Sequence, residues 1–421
     1  MMRTRRGEAG IMRPSVTDQA GVDSQAGAGQ VTAELSRGGR AEKRLLVVCL
    51  GVFIGYLASL ASMFAHRTWV LDAAGRPIPA DFVAIWSAGR LALKGAALSA
   101  YNGSLQHAAE VVAVGHDFPG YYGWPYPSSF LFVAAALASL PYAWAFALLG
   151  IASLALHGLS VAAISRRFAG MIVAFAAPWA LACALVGQNG FLTAGLIGFI
   201  LLTLDERPAL SGLLLGLLTY KPHFGLLFPL VLVVSGRWRV FAWAAAGTLG
   251  LAGLSVLVFG ADTFAAFFHG LPQTTATLVT NGGVGWNKLQ SVYGLARSLG
   301  ASNAAGWAAQ GVMSLACVMA VAVVWRGRAP TALKAASLAV AAVLATPYVF
   351  AYDLPVLAVA AAFLYRHRGF DRLDYLALVV AAESLIPLPF VNVSTGLVAS
   401  LAIAAAVGRR LIATLPQAAT A

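Results

Sequence analysis

The chain has 421 residues, of which 60% are hydrophobic and only 10% are charged, and its formal net charge is +12. Soluble domains average about 25% charged residues, so this composition excludes an ordinary soluble protein and predicts an integral membrane protein. Because the apolar runs do not alternate with a period of two, they predict membrane-spanning helices and an all-α fold.

The positive charge does not indicate nucleic acid as a partner. Arg and Lys are concentrated in short loops between apolar runs and in the N-terminal segment, as the positive-inside rule expects of a protein in a lipid bilayer. Cys49, Cys183 and Cys317 lie within apolar runs. We interpret them as small hydrophobic residues rather than disulfide partners or metal ligands.

The N-terminal residues 1–44 are rich in Gly, Ala, Ser, Gln and Arg, which predicts a disordered cytoplasmic tail. Basic residues directly precede the first apolar run, Leu45–Phe64. This order predicts an uncleaved signal-anchor in the plasma (inner) membrane. Residues 45–412 are predicted to form one transmembrane domain, and residues 413–421 a second cytoplasmic tail.

A long polar loop, residues 66–124, follows the first run and is predicted to be extracytoplasmic. Within it, Pro79–Tyr101 carries apolar side chains at helical spacing, with Arg90 and Lys94 on another face. This pattern predicts an amphipathic helix on the membrane surface. Asp81 stands at its start, either as an N-cap or as a functional carboxylate, and the local pattern alone favours the N-cap.

The rest of the chain alternates apolar runs with short charged turns and has a second long outer loop, residues 261–300, which contains Lys288. We predict about 12 crossings, within a range of about 11–13. Pro141 leaves open whether segment 127–140 crosses the membrane or re-enters it. The later runs are 142–164, 169–186, 188–204, 209–220, 222–235, 240–260, 303–325, 331–347, 351–365, 373–389 and 393–408.

Polar residues at the ends of apolar runs are the remaining candidates for function. Gln188 and Asn189 either form a simple turn or bind a sugar or phosphate through their amides. Lys221 is an ionisable residue at membrane depth, or it snorkels from a helix end. Asp353 either caps a helix or contributes to a site. The sequence contains no Walker, HExxH or CxxC pattern, which argues against a nucleotide-driven pump.

The order of these motifs resembles glycosyltransferase family 87, the polyprenyl-phosphate-mannose-dependent mannosyltransferases of the C-type (GT-C-like) class. The matching motifs are Asp81-Phe82, Tyr101-Asn102, Tyr126-Pro127, Gly187-Gln188-Asn189-Gly190, Lys221-Pro222, Thr346-Pro347 and Tyr352-Asp353-Leu354. The chain departs from the family pattern in two places. Ser128 stands where the family usually has a second proline after Tyr126-Pro127, and no histidine lies just before Tyr352.

The resemblance implies a sugar, expected to be mannose, moving from a polyprenyl-phosphate donor to a hydroxyl of a lipid or glycan acceptor. Asp81 would be the base. Phe130, Phe132 and Trp124 would line a groove for the polyprenyl chain. The residues expected to bind the donor phosphate or substrate are Lys221, Gln188, Asn189, Tyr126, Arg90, Lys288 and Asp353. No cofactor beyond the lipid-linked donor is implied, no metal ligands are assigned, and the need for a divalent cation stays open.

Two other classes are considered beside the enzyme. One is a flippase or transporter of lipid-linked glycans, and the chain has no convincing internal repeat of the kind that many transporters have. The other is a non-catalytic scaffold, against which the long polar outer loops argue.

Overall fold

The computed structural model describes residues 39–119, 122–388 and 390–414, and this part of the chain is helical with no β-strand. The predicted tails lie outside it up to residue 38 and from residue 415. The α-helices are Arg40–Ala65, Asp81–Leu93, Gly103–Val114, Leu131–Ala138, Tyr142–Ser165, Ala169–Ala176, Pro178–Val186, Gly190–Thr203, Pro208–Leu218, Pro222–Gly225, Leu227–Val234, Trp238–Phe259, Ala261–Thr275, Val292–Ser298, Asn303–Arg326, Thr331–Leu344, Val356–Arg368, Arg372–Glu383 and Gly396–Ile412.

Five of the described helices are long and apolar enough to cross a membrane, so the chain is an all-α membrane protein. Many of the other helices are too short to span a bilayer alone. The prediction of about 12 crossings therefore stays a prediction. The five are Glu42–Ala65, Tyr142–Ser165, Trp238–Phe259, Asn303–Arg326 and Gly396–Thr414.

Proline and glycine break the remaining apolar runs into shorter helices. The run predicted over 169–186 bends by 70° where Ala169–Ala176 meets Pro178–Val186, because Pro178 cannot continue the preceding helix. Leu131–Ala138 has 8 residues and is therefore only about 12 Å long, against about 30 Å of hydrocarbon. With the preceding 3-10 turn it forms an apolar helix over Ser128–Ala138, and both crossing and re-entry of segment 127–140 stay predictions.

The helix predicted in the first outer loop forms over Asp81–Leu93, but it is not amphipathic in the expected way. Every residue from Phe82 to Gly89 except Trp86 is buried, so protein surrounds this part of the helix instead of contacting one face. Gly89 makes the packing possible, since a Cβ there would lie 2.1 Å from the Ala134 carbonyl oxygen. The prediction of a helix on the membrane surface did not anticipate the packing of helix Leu131–Ala138, which is distant in sequence, against this helix.

Short helical turns connect the longer elements and carry several of the polar side chains. Lys288 ends one of these turns, and Asp353 ends another. The 3-10 turns are Ala97–Tyr101, Ser128–Phe130, Trp286–Lys288 and Ala351–Asp353, and a π-helical turn spans Ala276–Thr280.

Candidate functional site

Most of the candidate polar residues lie at helix ends that meet in one place. Gly187 ends helix Pro178–Val186 in the left-handed conformation, with φ of 66°. A Cβ at this position would lie 2.8 Å from Phe82 Cβ. Glycine therefore permits both the turn and the close approach, which bring Gln188 beside Asp81.

Asp81 is not the N-cap of its helix, so that part of the prediction is wrong. Ala80 occupies the cap position, and Asp81 is the first helical residue. The Asp81 carboxylate instead accepts a hydrogen bond of 3.1 Å from Gln188 Nε2. Tyr126 Oη donates to Gln188 Oε1, also at 3.1 Å, which fixes the orientation of the amide. The carboxylate is thus held by a neutral donor.

The electrostatic surroundings of Asp81 are mixed. Burial raises the pKa of this carboxyl above its usual value, and the Gln188 hydrogen bond opposes that rise. Lys288 and Lys221 act on the Asp81 charge and lower its pKa, whereas Asp353 acts in the opposite direction. A partly buried carboxylate with a raised pKa has the properties of a general base.

Lys221 and Asp353 form a buried ion pair next to Asp81. Lys221 Nζ lies 2.5 Å from Asp353 Oδ1, and both side chains are almost inaccessible to solvent. The second Asp353 oxygen accepts the Phe350 amide N–H at 3.1 Å. Both oxygens of this carboxylate therefore have partners, and neither is available as a base in this arrangement.

The ion pair depends on a close approach between two chain segments. A Cβ at Gly190 would lie only 1.6 Å from the Tyr352 carbonyl oxygen, so the backbones are in direct contact there. Lys221 Nζ also lies 5.4 Å from the centroid of the Tyr352 ring, within the range of a cation–π contact. Gly190 thus lets residues 352 and 353 pack beside Gln188 and Asn189.

Asn189 is a buried polar residue beside these groups. Its side chain makes no hydrogen bond of normal geometry within the described residues, although Tyr126 lies near it. Buried amides usually have partners, so the unsatisfied Asn189 side chain is an exception among the described residues. The Asn189 carbonyl accepts from Tyr220 Oη at 3.3 Å.

Lys288 and Arg90 differ in where the structure places them. Lys288 is exposed, near enough to act on the Asp81 charge, and its side chain forms no ion pair in the described residues. Arg90 is nine residues further along the Asp81 helix, which corresponds to about 13 Å. Its guanidinium lies over the Trp86 ring instead, so Arg90 is not part of the cluster.

The aromatic residues expected to line a lipid groove mostly pack against protein. Trp124 and Phe130 are buried, and the Phe130 ring stacks on Tyr220 with centroids 4.5 Å apart. Phe132 is partly buried and contacts Phe259. Their role in binding a polyprenyl chain stays a prediction.

Sequence reasoning gave no role to the residues that support this cluster. Thr193 Oγ1 and Tyr220 Oη are hydrogen-bonded at 2.6 Å, and Tyr101 Oη donates to the Tyr126 carbonyl at 3.1 Å. The signals available were weak: Tyr220 directly precedes Lys221, and Tyr101 belongs to a motif of the family resemblance, but neither indicated a supporting contact. The described residues contain no group of three or more His, Cys, Asp or Glu placed to hold a metal ion.

Comparison with known proteins gives one match. The family model of glycosyltransferase family 87 matches residues 124–347, more than half of the 421 residues. The matched region contains Tyr126, Gln188, Asn189, Lys221 and Lys288, and it excludes both carboxylates, at positions 81 and 353. No curated protein and no solved structure matches. Its match to the family model shows that the chain belongs to glycosyltransferase family 87.

Proposed function

We propose that this membrane glycosyltransferase moves a sugar, expected to be mannose, from a polyprenyl-phosphate donor to an acceptor hydroxyl. The acceptor is a lipid or a glycan on the extracytoplasmic side of the membrane, and Asp81 is the base. Family membership supports the glycosyltransferase activity, and the spanning helices support a donor that lies in the bilayer.

The observation that carries the proposal is the environment of Asp81. Its carboxylate is bonded to a neutral amide, whereas Asp353 is bonded to a lysine. A carboxylate neutralised by a buried ammonium is a poor proton acceptor, because accepting a proton would break the ion pair. Asp81 carries no such constraint, and its raised pKa increases its basicity.

The reaction needs one proton acceptor and one stabilised leaving group. The acceptor hydroxyl gives its proton to Asp81 while its oxygen forms a bond to the anomeric carbon. The bond from that carbon to the phosphate oxygen breaks, and its electron pair leaves with the polyprenyl phosphate. This direct displacement needs no nucleotide, and positive charge near the phosphate stabilises the leaving group.

Lys288 is the cation best suited to the phosphate, because it is exposed and unpaired in the described part of the chain. Lys221 has three N–H donors, and the ion pair with Asp353 occupies one of them. We propose that Lys288 contacts the phosphate directly and that the buried Lys221 adds positive charge near it. If a local movement exposes it, the buried Asn189 amide would bond a sugar hydroxyl or a phosphate oxygen.

The test is a transfer assay with the full chain in membranes, labelled polyprenyl-phosphate mannose and an acceptor extract. We expect a labelled product that requires both the donor and the intact Asp81 carboxylate. Labelled polyprenyl-phosphate glucose in a parallel reaction tests the choice of sugar. If the label crosses the membrane without forming a new glycosidic bond, the proposal is wrong and a flippase is supported.

A further inference from the structure

A basic cavity of about 560 Å³ lies at the end of the molecule opposite to Asp81. Its volume is within the range of ligand pockets. Its lining contains no Asp or Glu. The side chains that matter to its chemistry are Arg166, Arg167, Arg366, His367, Tyr365 and Ala332.

The position of the cavity follows from helices that run between it and the candidate site. Tyr142 begins helix Tyr142–Ser165 and contacts Phe82, with ring centroids 5.2 Å apart. Ser165 ends that helix at the cavity. The helix has 24 residues, so the two ends are about 35 Å apart, enough to span the hydrocarbon of a bilayer.

The first spanning helix gives the same orientation. Glu42, at its start, pairs with Arg167 at 3.1 Å. After its end at Ala65, Trp69 Nε1 donates to the Leu185 carbonyl at 2.9 Å, close to Gln188. The cavity therefore lies at the opposite membrane face from Asp81, at the level where spanning helices end.

The cavity carries more positive charge than the neighbouring glutamates neutralise. Glu42 pairs with Arg167, and Glu206 acts on Arg366 electrostatically. Within the described residues, the Arg166 side chain has no hydrogen bond or ion pair, and it is exposed. Arg366 and Arg166 instead repel each other, so an anion between them would relieve an unfavourable interaction.

Arg166 is held in an unusual backbone conformation. Its φ is 57°, in the left-handed region, where Asn and Gly are favoured over arginine. An arginine at this position keeps a planar, permanently charged guanidinium at the cavity edge, and such groups bind phosphate through paired hydrogen bonds.

We propose that this cavity binds the phosphate headgroup of an anionic membrane lipid. Basic pockets between spanning helices at the membrane surface are suited to such headgroups. Phe168 directly follows Arg167 in sequence and is an exposed apolar side chain, which suits contact with an acyl chain. A free phosphate shares the headgroup chemistry but makes no use of an apolar surface.

The test measures binding to the purified full chain in a neutral detergent by native mass spectrometry. The probes are short-chain phosphatidylglycerol, the matching phosphatidylcholine and inorganic phosphate. We expect phosphatidylglycerol to bind more tightly than phosphatidylcholine. Arg166→Asn, which suits the left-handed backbone, should weaken phosphatidylglycerol binding about tenfold or more, because a charged hydrogen bond is lost.

Arg326→Gln is the matched control, because Arg326 ends another spanning helix, is exposed and lies outside the cavity lining. It should bind phosphatidylglycerol as the unmodified chain does. Arg366→Gln gives a second cavity variant, and thermal unfolding without lipid checks that each variant is folded. Equal binding of the two lipids, or undiminished binding in both folded cavity variants, would overturn the proposal. Inorganic phosphate that competes at the same concentration as the lipid would overturn the lipid assignment.

Discussion

Gln188 Nε2 donates a hydrogen bond of 3.1 Å to Asp81 Oδ2, although 107 residues separate the two side chains along the chain. The bond joins helix Asp81–Leu93 to a break between two apolar helices. It also distinguishes Asp81 from Asp353, which is bonded to a lysine. The assignment of Asp81 as the base depends on this difference.

Asp81→Asn tests the base directly. The asparagine oxygen can still accept from Gln188, so the fold should be retained, but the side chain cannot accept the acceptor's proton. We expect sugar transfer to fall by about 10²-fold or more. The measurement is product formed per mole of folded protein, with the thermal unfolding midpoint recorded alongside.

Asp117→Asn is the control for this change, since Asp117 belongs to the same predicted outer loop, residues 66–124, and its side chain is 87% exposed. It should transfer sugar at a nearly normal rate. Near-normal transfer by folded Asp81→Asn would mean that Asp81 is not the base.

The pH dependence of transfer gives a second test of the same residue. Burial raises the pKa of Asp81 above 3.8, and a base must be deprotonated, so activity should fall as the pH decreases through that raised value. Gln188 stabilises the charged form. Gln188→Leu should therefore raise the pKa of Asp81 further and move the acid limb of the activity profile to higher pH.

Gln273→Leu is a suitable comparison, because Gln273 is exposed in helix Ala261–Thr275, away from helix Asp81–Leu93 in sequence. Its pH profile should match that of the unmodified chain. An acid limb that stays in place, or moves downward, in Gln188→Leu would contradict the assignment.

The helical segments were largely predictable from sequence, because apolar length and proline position determine them locally. The runs predicted over 142–164, 240–260 and 303–325 correspond closely to Tyr142–Ser165, Trp238–Phe259 and Asn303–Arg326. The break at Pro178 was also readable in principle, since the residue before a proline disfavours helix. The bend of 70° itself depends on tertiary packing.

The site was predictable only in part, because its geometry is set by contacts between distant segments. The sequence indicated Gln188, Lys221 and Asp353 as polar interruptions of apolar runs, but it gave no means of pairing them. The N-cap interpretation of Asp81 failed because Ala80 takes the cap position. Arg90 looked equivalent to Lys288 as a cation, yet the helix carries it away from the cluster.

Reporter fusions test the predicted membrane orientation. Fusions after Arg328 and Arg368 should give cytoplasmic signals, and a fusion near Asn281 should give an extracytoplasmic one, because basic turns stay on the cytoplasmic side. Alkaline phosphatase and a cytoplasm-active fluorescent protein at each site provide opposite readouts. A cytoplasmic signal near Asn281, with extracytoplasmic signals after Arg328 and Arg368, would place Asp81 and its neighbours on the cytoplasmic side of the membrane.

Gly190→Ala tests the backbone contact that brings residue 353 to the site. The added Cβ would lie 1.6 Å from the Tyr352 carbonyl oxygen, so the segments must separate. We expect the free energy of unfolding to fall by about 1–3 kcal/mol or more, which lowers the unfolding midpoint. Sugar transfer should be lost as well. Gly225→Ala has no atom within 4 Å of its new Cβ and should be tolerated. Equal stability of the two variants would contradict the close contact.

Substitutions in the Lys221–Asp353 ion pair distinguish a structural role of Lys221 from a role in donor binding. Lys221→Met leaves a buried carboxylate without its cation, so the protein should lose about 3–5 kcal/mol of stability. Lys221→Arg keeps the charge and should preserve part of donor binding. Combining Lys221→Met with Asp353→Leu removes both charges and should restore most of the stability, because two buried charges are then replaced by apolar groups.

The double variant gives the decisive measurement, because we expect it to fold although it lacks the ammonium. If Lys221 contributes to binding the donor phosphate, the double variant should need a higher donor concentration for half-maximal transfer than the unmodified chain. Asp353→Asn keeps Lys221 and controls for loss of the carboxylate alone. A normal donor dependence in the stable double variant would show that Lys221 serves only to neutralise Asp353, and Lys288 would then be the remaining cation for the phosphate.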